Sequence, residues 1–104
     1  MVIDNVIKKV DLTEFNKLKK LLDDNDIPFE VNYFNETGTH QIVYPAYGPE
    51  RKSDVVISPF SYGGNSGLLE QMGLLPERME EEVQGWLDAD TVFERWKKDY
   101  LVNP

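Results

Sequence analysis

The chain has 104 residues, a formal net charge of −8, two Trp, five Tyr, five Phe and no cysteine. That length suits one small domain with a modest core, and aromatics that can each bury roughly 150–250 Å² argue against disorder of the whole chain. The acidity excludes a general affinity for nucleic acid or anionic membrane, which needs clustered Lys and Arg, and the absence of thiols excludes disulfides, thiolate zinc sites and cysteine nucleophiles.

The opening MVIDNVIKKVDL has no apolar run of signal-peptide length and no small-residue cleavage site. No segment approaches the ~20 apolar residues of a membrane span. The expectation is a soluble, cytoplasmic protein forming one domain over residues 1–104. Residues 1–10 are ambiguous: Ile3, Val6, Ile7 and Val10 have helical spacing, but a strand or a loosely ordered arm fits as well.

From Asp11 the pattern is firmer. Asp11 can accept at the first amides of a helix, and Glu14 stands three residues later as in a capping box. Leu12, Phe15, Leu18, Leu21 and Leu22 recur at three- and four-residue spacing and make one apolar stripe. The helix is expected to end near Asn25, since Pro28 biases Ile27 away from helical angles. The period then becomes two: Phe29, Val31 and Tyr33 alternate with Glu30, Asn32 and Phe34 as a strand. Asn35–Thr39 is a hairpin connection with Gly38 at positive φ, and His40–Tyr44 is the return strand. Pro45–Ser53 (PAYGPERKS) reads as a loop, Asp54–Ser58 as a third strand stopped by Pro59, and Ser61–Gly67 (SYGGNSG) as a second loop.

The last third reads as helices. Leu68, Leu69 and Met72 suit a short helical piece stopped by Gly73; Pro76 suits the first position of a second, with Met79 and Val83 on one edge and Gly85 at its end. In the final helix Asp88 is the N-cap, Leu87 and Val92 form a hydrophobic staple, and Ala89, Val92, Phe93, Trp96 and Tyr100 share a face. The expected class is α+β: an N-terminal helix, a three-stranded antiparallel sheet, and short C-terminal helices packed on one face.

Few constellations carry chemistry. His40 is the only histidine and heads a strand, with no serine in a nucleophile-elbow pattern, so it reads as an ordinary strand residue and zinc lacks ligands. Gly63–Gly67 could cradle an anion with its amides, but it has neither the Gly-Lys-Ser/Thr of a Walker A loop nor a dinucleotide fingerprint, and a chain-redirecting glycine loop is the simpler reading. Asp54 heads a strand as a nuclease carboxylate does, but no Glu-x-Lys follows it. No catalytic residue, cofactor or metal is assigned. A minimal metal-dependent nuclease or phosphate-handling enzyme built on Asp54 and Gly63–Gly67 stays as an alternative, as does a homo-oligomeric or virion-associated structural protein joined through its last helix. Trp86 and Trp96 flank that helix and read as core.

Candidate partner-binding residues are Glu77, Glu80, Glu81, Glu82, Asp88 and Asp90, an acidic belt opposed only by Arg78, and Tyr47, an aromatic beside Arg51 and Lys52 on a proline-bounded loop. The runs GLLEQMGLL (Gly67–Leu75) and LDADTVFERWKKDY (Leu87–Tyr100) resemble short accessory proteins encoded by phages and prophages of Gram-positive bacteria. The resemblance brings no activity and no site residues. It implies a bacterial or phage cytoplasmic setting and an accessory role, and with the acidity it points to action by binding another protein, host or phage.

Overall fold

The computed structural model describes residues 9–76 and 82–103. In chain order they form helix α1 (Thr13–Asp24), strands β1 (Glu30–Phe34), β2 (Thr39–Tyr44) and β3 (Ser53–Ile57), a single 3-10 turn (Gly64–Ser66), strands β4 (Leu69–Met72) and β5 (Val83–Leu87), and helix α2 (Ala89–Val102). The five strands make one antiparallel sheet in sequential order, β1-β2-β3-β4-β5. The class is α+β, but the sheet has five strands where three were expected.

The two added strands replace expected helices. The three-residue spacing of Leu69 and Met72 predicts a helix; in the sheet Leu69 is buried and Met72 lies exposed, the alternation of a half-buried strand. Of the helix expected from Pro76 to Gly85, residues 77–81 lie outside the described residues, and Val83–Leu87 is the edge strand β5, with Gly85 inside it rather than ending a helix. Among the described residues one C-terminal helix, α2, remains.

Strand register sorts the sheet into two faces. His40, Ile42 and Tyr44 on β2 align with Ile57, Val55 and Ser53 on β3, and these continue to Leu69 and Gln71 on β4. That face meets α1 through Phe15, Leu18 and Leu22 and meets α2 through Val92, Phe93 and Trp96, and together these side chains make one core. Trp96 is fully buried and stacks on Tyr44, with ring centroids 5.3 Å apart and planes 15° from parallel.

Local chemistry sets the helix ends. At the C-terminus of α1, Asp26 (φ 54°) takes the left-handed position usually given to glycine; its N–H donates to the Asp23 carbonyl and the Ile27 N–H to the Leu22 carbonyl. This is a Schellman closure, and the buried pair Ile27 and Leu22 supplies its hydrophobic contact. The N-cap of α2 is Asp88, as expected: its carboxylate accepts the Thr91 amide at 2.9 Å. The capping box of α1 is different. Asp11 accepts the Thr13 amide at 2.9 Å and its hydroxyl at 2.7 Å, but Glu14 does not turn back. Its carboxylate crosses to accept the Ala89 amide of α2 at 2.8 Å. One turn further along α1, Lys17 pairs with Asp90 at 2.9 Å. Two side chains on one face of α1 thus fix the first turn of α2.

Among the described residues, no helix is long and apolar enough to cross a membrane.

Candidate functional site

The loop joining β3 to β4 and the irregular part of β5 build one surface feature between them. Across β4–β5, Leu69 pairs with Leu87 and Gln71 with Gln84, so Gly85 and Trp86 together oppose the single residue Glu70. This is a β-bulge, and Trp86 takes φ 61° to make it. A left-handed conformation costs a bulky L-residue roughly 1–2 kcal/mol. The Trp86 side chain gains no burial in exchange, because it is 63% exposed. The expectation that Trp86 packs in the core is overturned; of the two tryptophans only Trp96 does.

The bulge is locked to the loop. The Trp86 N–H donates to the Tyr62 carbonyl at 3.2 Å, and the Tyr62 N–H donates to the Glu70 carboxylate at 2.9 Å. Gly85 admits this approach because it lacks a side chain: a Cβ there would stand 2.6 Å from the Tyr62 carbonyl oxygen. Gly63, at φ 91°, likewise leaves no room for a Cβ beside the Trp86 backbone. The rest of the loop closes on itself. Ser58 accepts the Phe60 amide through its hydroxyl, and the Ser61 hydroxyl accepts the Ser58 amide and donates to the Ser58 carbonyl. What this scaffold presents is aromatic: Tyr62, 62% exposed, is joined through its backbone to Trp86, and Phe60, 74% exposed, lies on the same loop. By register Glu70 lies on the sheet face away from the helices.

The same hydrogen bonds decide what Gly63–Gly67 can do. The amides of Gly64, Ser66, Gly67 and Leu68 all donate to carbonyls of Ser61, Gly63 and Gly64. These four are spent inside the turn, which redirects the chain into β4. Asp54 accepts the Gln41 side-chain amide at 2.9 Å, and Gln41 in turn accepts from Asn32 at 3.1 Å, a polar chain across the sheet face away from the helices. Asp54 is the second residue of β3, and the Ser58–Gly67 loop leaves the strand's other end, roughly 13 Å away at strand rise. The two halves of the nuclease alternative are therefore not brought together, and among the described residues no group of three or more His, Asp or Glu gathers at one point.

Glu77, Glu80 and Glu81 lie outside the described residues, and Glu82 is exposed just before β5. Asp88 is engaged as the α2 cap, its hydrogen bonds with Thr91 holding its carboxyl below the ordinary range. Asp90 is paired to Lys17, and that hydrogen bond raises the lysine's pKa. Tyr47 is exposed on the β2–β3 loop, where its amide donates to Glu30 at 3.1 Å, apart from the aromatic corner.

Other titratable groups serve the fold. His40 lies between Phe15 (5.6 Å between centroids) and Tyr33 (4.6 Å); burial, and then the charge of Lys19, push its pKa down. The Tyr44 hydroxyl donates to Asp99 at 2.7 Å, and Lys52 donates to the same carboxylate at 3.0 Å. Burial and the Asp99 carboxylate raise the Tyr44 pKa well above its usual value. For Asp99, burial acts upward, but the hydrogen bonds from Tyr44 and Lys52 outweigh it and the net shift is down. Arg95, lowered by burial, donates to the buried Gln71 at 2.8 Å and lines a shallow groove of about 790 Å³ with Leu74, Lys98 and Val102.

The sequence reading missed Phe60 and Tyr62 and misplaced Trp86. Usable signals were present: an aromatic flanked by serine and two glycines (Ser61-Tyr62-Gly63-Gly64), and a tryptophan directly after a glycine. Compared with protein-family models, curated proteins and solved structures, the chain matches none.

Proposed function

We propose that the protein acts by binding another protein, and that the aromatic corner of Phe60, Tyr62 and Trp86 is its docking site. The observation that carries this reading is Trp86: a bulky residue held in a left-handed conformation, in a bulge, with its side chain in solvent. Strain of this kind, of order 1–3 kcal/mol, persists only where surrounding structure imposes it, and it concentrates at functional sites. Trp and Tyr are also the residue types that dominate binding energy at interfaces.

The partner segment is one bearing Arg or Lys beside apolar side chains. Aromatic faces attract cations over their rings, Glu70 stands at the base of the corner, and the chain as a whole carries −8. Such a role suits the resemblance to phage and prophage accessory proteins, whose targets would be host or phage proteins. Selection from a random short-peptide display library tests it. The expected winners combine a basic residue with an apolar one and quench Trp86 fluorescence. Winners without basic residues, or winners bound equally by a Tyr62→Ala, Trp86→Gly variant, would remove the reading.

A further inference from the structure

The two edges of the sheet differ. β5 is broken by the bulge at Gly85–Trp86, a device that prevents continuous pairing with another strand. β1 has no such protection. It runs unbroken from Glu30 to Phe34, contains no Pro, Gly or Lys, and pairs on one side only among the described residues. Both faces of this edge show apolar side chains to solvent: Val31 at 46% and Tyr33 at 54% on the helix side, and Phe34 on the other. Its one charge, Glu30, is turned to the Tyr47 amide of its own chain.

From this edge we infer that β1 pairs with β1 of a second copy, antiparallel about Asn32, joining two five-stranded sheets into one of ten strands. The sequence Glu-Val-Asn-Tyr-Phe is self-complementary in that register. Val31 faces the second copy's Tyr33 twice, a β-branched residue against an aromatic, which is a favourable cross-strand pair. Asn32 faces its own symmetry mate. Glu30 faces Phe34, so the two carboxylates are kept apart and like charges never oppose. A shift of register by two residues either way loses both Val31–Tyr33 pairs, and sets Glu30 opposite Asn32 in one direction and opposite Glu36 in the other. The interface is isologous and closes as a two-fold dimer. This inference is independent of the aromatic corner, which lies by β5 at the other end of the strand order.

The chain has no cysteine, so one introduced thiol reports the register without interference. Symmetry-related Asn32 Cα atoms would lie roughly 4.5–5.5 Å apart, within the range a disulfide spans. Asn32→Cys should therefore oxidise quickly to a linked dimer, while Asn65→Cys, in the exposed loop beyond β3, should not. Sedimentation equilibrium should show self-association of the 12.0 kDa chain that tightens as salt screens the mutual repulsion of two −8 copies. Val31→Lys and Tyr33→Lys, at positions already half in solvent, should weaken the dimer by about tenfold or more without unfolding the monomer. A monomer at every concentration and salt, the result if this edge serves another protein's strand, overturns the inference. So does linkage of Asn32→Cys no faster than Asn65→Cys, or a dimer indifferent to both lysine substitutions.

Discussion

The Glu14 carboxylate accepts the backbone N–H of Ala89 at 2.8 Å, tying the first turn of α1 to the first residue of α2 across 75 positions of sequence. Ala89 is fully buried, so this amide has no access to water as an alternative partner. Together with the Asp88 cap, it leaves the start of α2 held from two directions.

Removing Glu14 should therefore cost more than an exposed helical substitution normally does. Glu14→Ala strands a buried donor, with an expected loss of about 1–3 kcal/mol. Glu14→Gln keeps an acceptor and should lose less. Asp88→Ala should cost about 1 kcal/mol as a lost N-cap. Urea unfolding of the three variants measures this; equal stabilities for Glu14→Ala and Glu14→Gln would show that the contact to Ala89 contributes nothing.

Asp26 closes α1 in a conformation that glycine adopts without steric cost. Asp26→Gly should raise stability by about 0.5–1 kcal/mol, the strain relieved less the entropy that glycine loses on folding. The same measurement decides it, and a destabilised variant would mean that Asp26 contributes something beyond its backbone angle.

His40 sets a pH dependence near neutrality. Its folded pKa is depressed by burial and by Lys19, below the unfolded value of about 6.5. As pH falls through that value the unfolded chain takes up the proton first, so stability declines. Asp88 and Asp99 are depressed carboxyls. Their contribution is present above an unfolded pKa of about 3.9 and is lost only as pH falls through their lower folded values. His40→Gln should flatten stability between about pH 7 and 5 and leave the steeper acid loss intact. An unchanged slope in the upper window would contradict the assignment to His40.

The two tryptophans should separate optically. Trp96 is buried against Tyr44 and Trp86 stands in solvent. Acrylamide should quench about half of the native emission, and Trp86→Phe should leave a blue-shifted, protected signal. If that variant remains as quenchable as the parent, Trp86 is not the exposed one.

What could be read in the sequence follows from whether the cause was local. The α1 stripe, the Asn35–Thr39 turn with Gly38 at φ 68°, and the Asp88 cap are set by neighbours in sequence, and each stands as expected. β4 and β5 are short, and the three-residue spacing of Leu69 and Met72 suits a helix although the two fall on opposite faces of a strand; pairing with β3 and with each other decides the outcome. Glu14 has the spacing of a capping box yet finds its partner 75 residues away. Gly85 has the form of a helix stop, but its reason is the close approach of Tyr62. The aromatic corner was hidden for the same cause: Tyr62 and Trp86 are 24 residues apart and are joined by a backbone hydrogen bond and a bulge that no local pattern announces.

At Trp86 backbone strain and solvent exposure occur in one residue. Trp86→Gly relieves the left-handed strain and removes the aromatic face together, so stability and binding should move in opposite directions. Measured side by side, urea unfolding and titration with a selected basic peptide should give a variant at least as stable as the parent but bound about tenfold or more weakly. Peptide affinity unchanged in a stable Trp86→Gly protein would contradict the docking role of this corner.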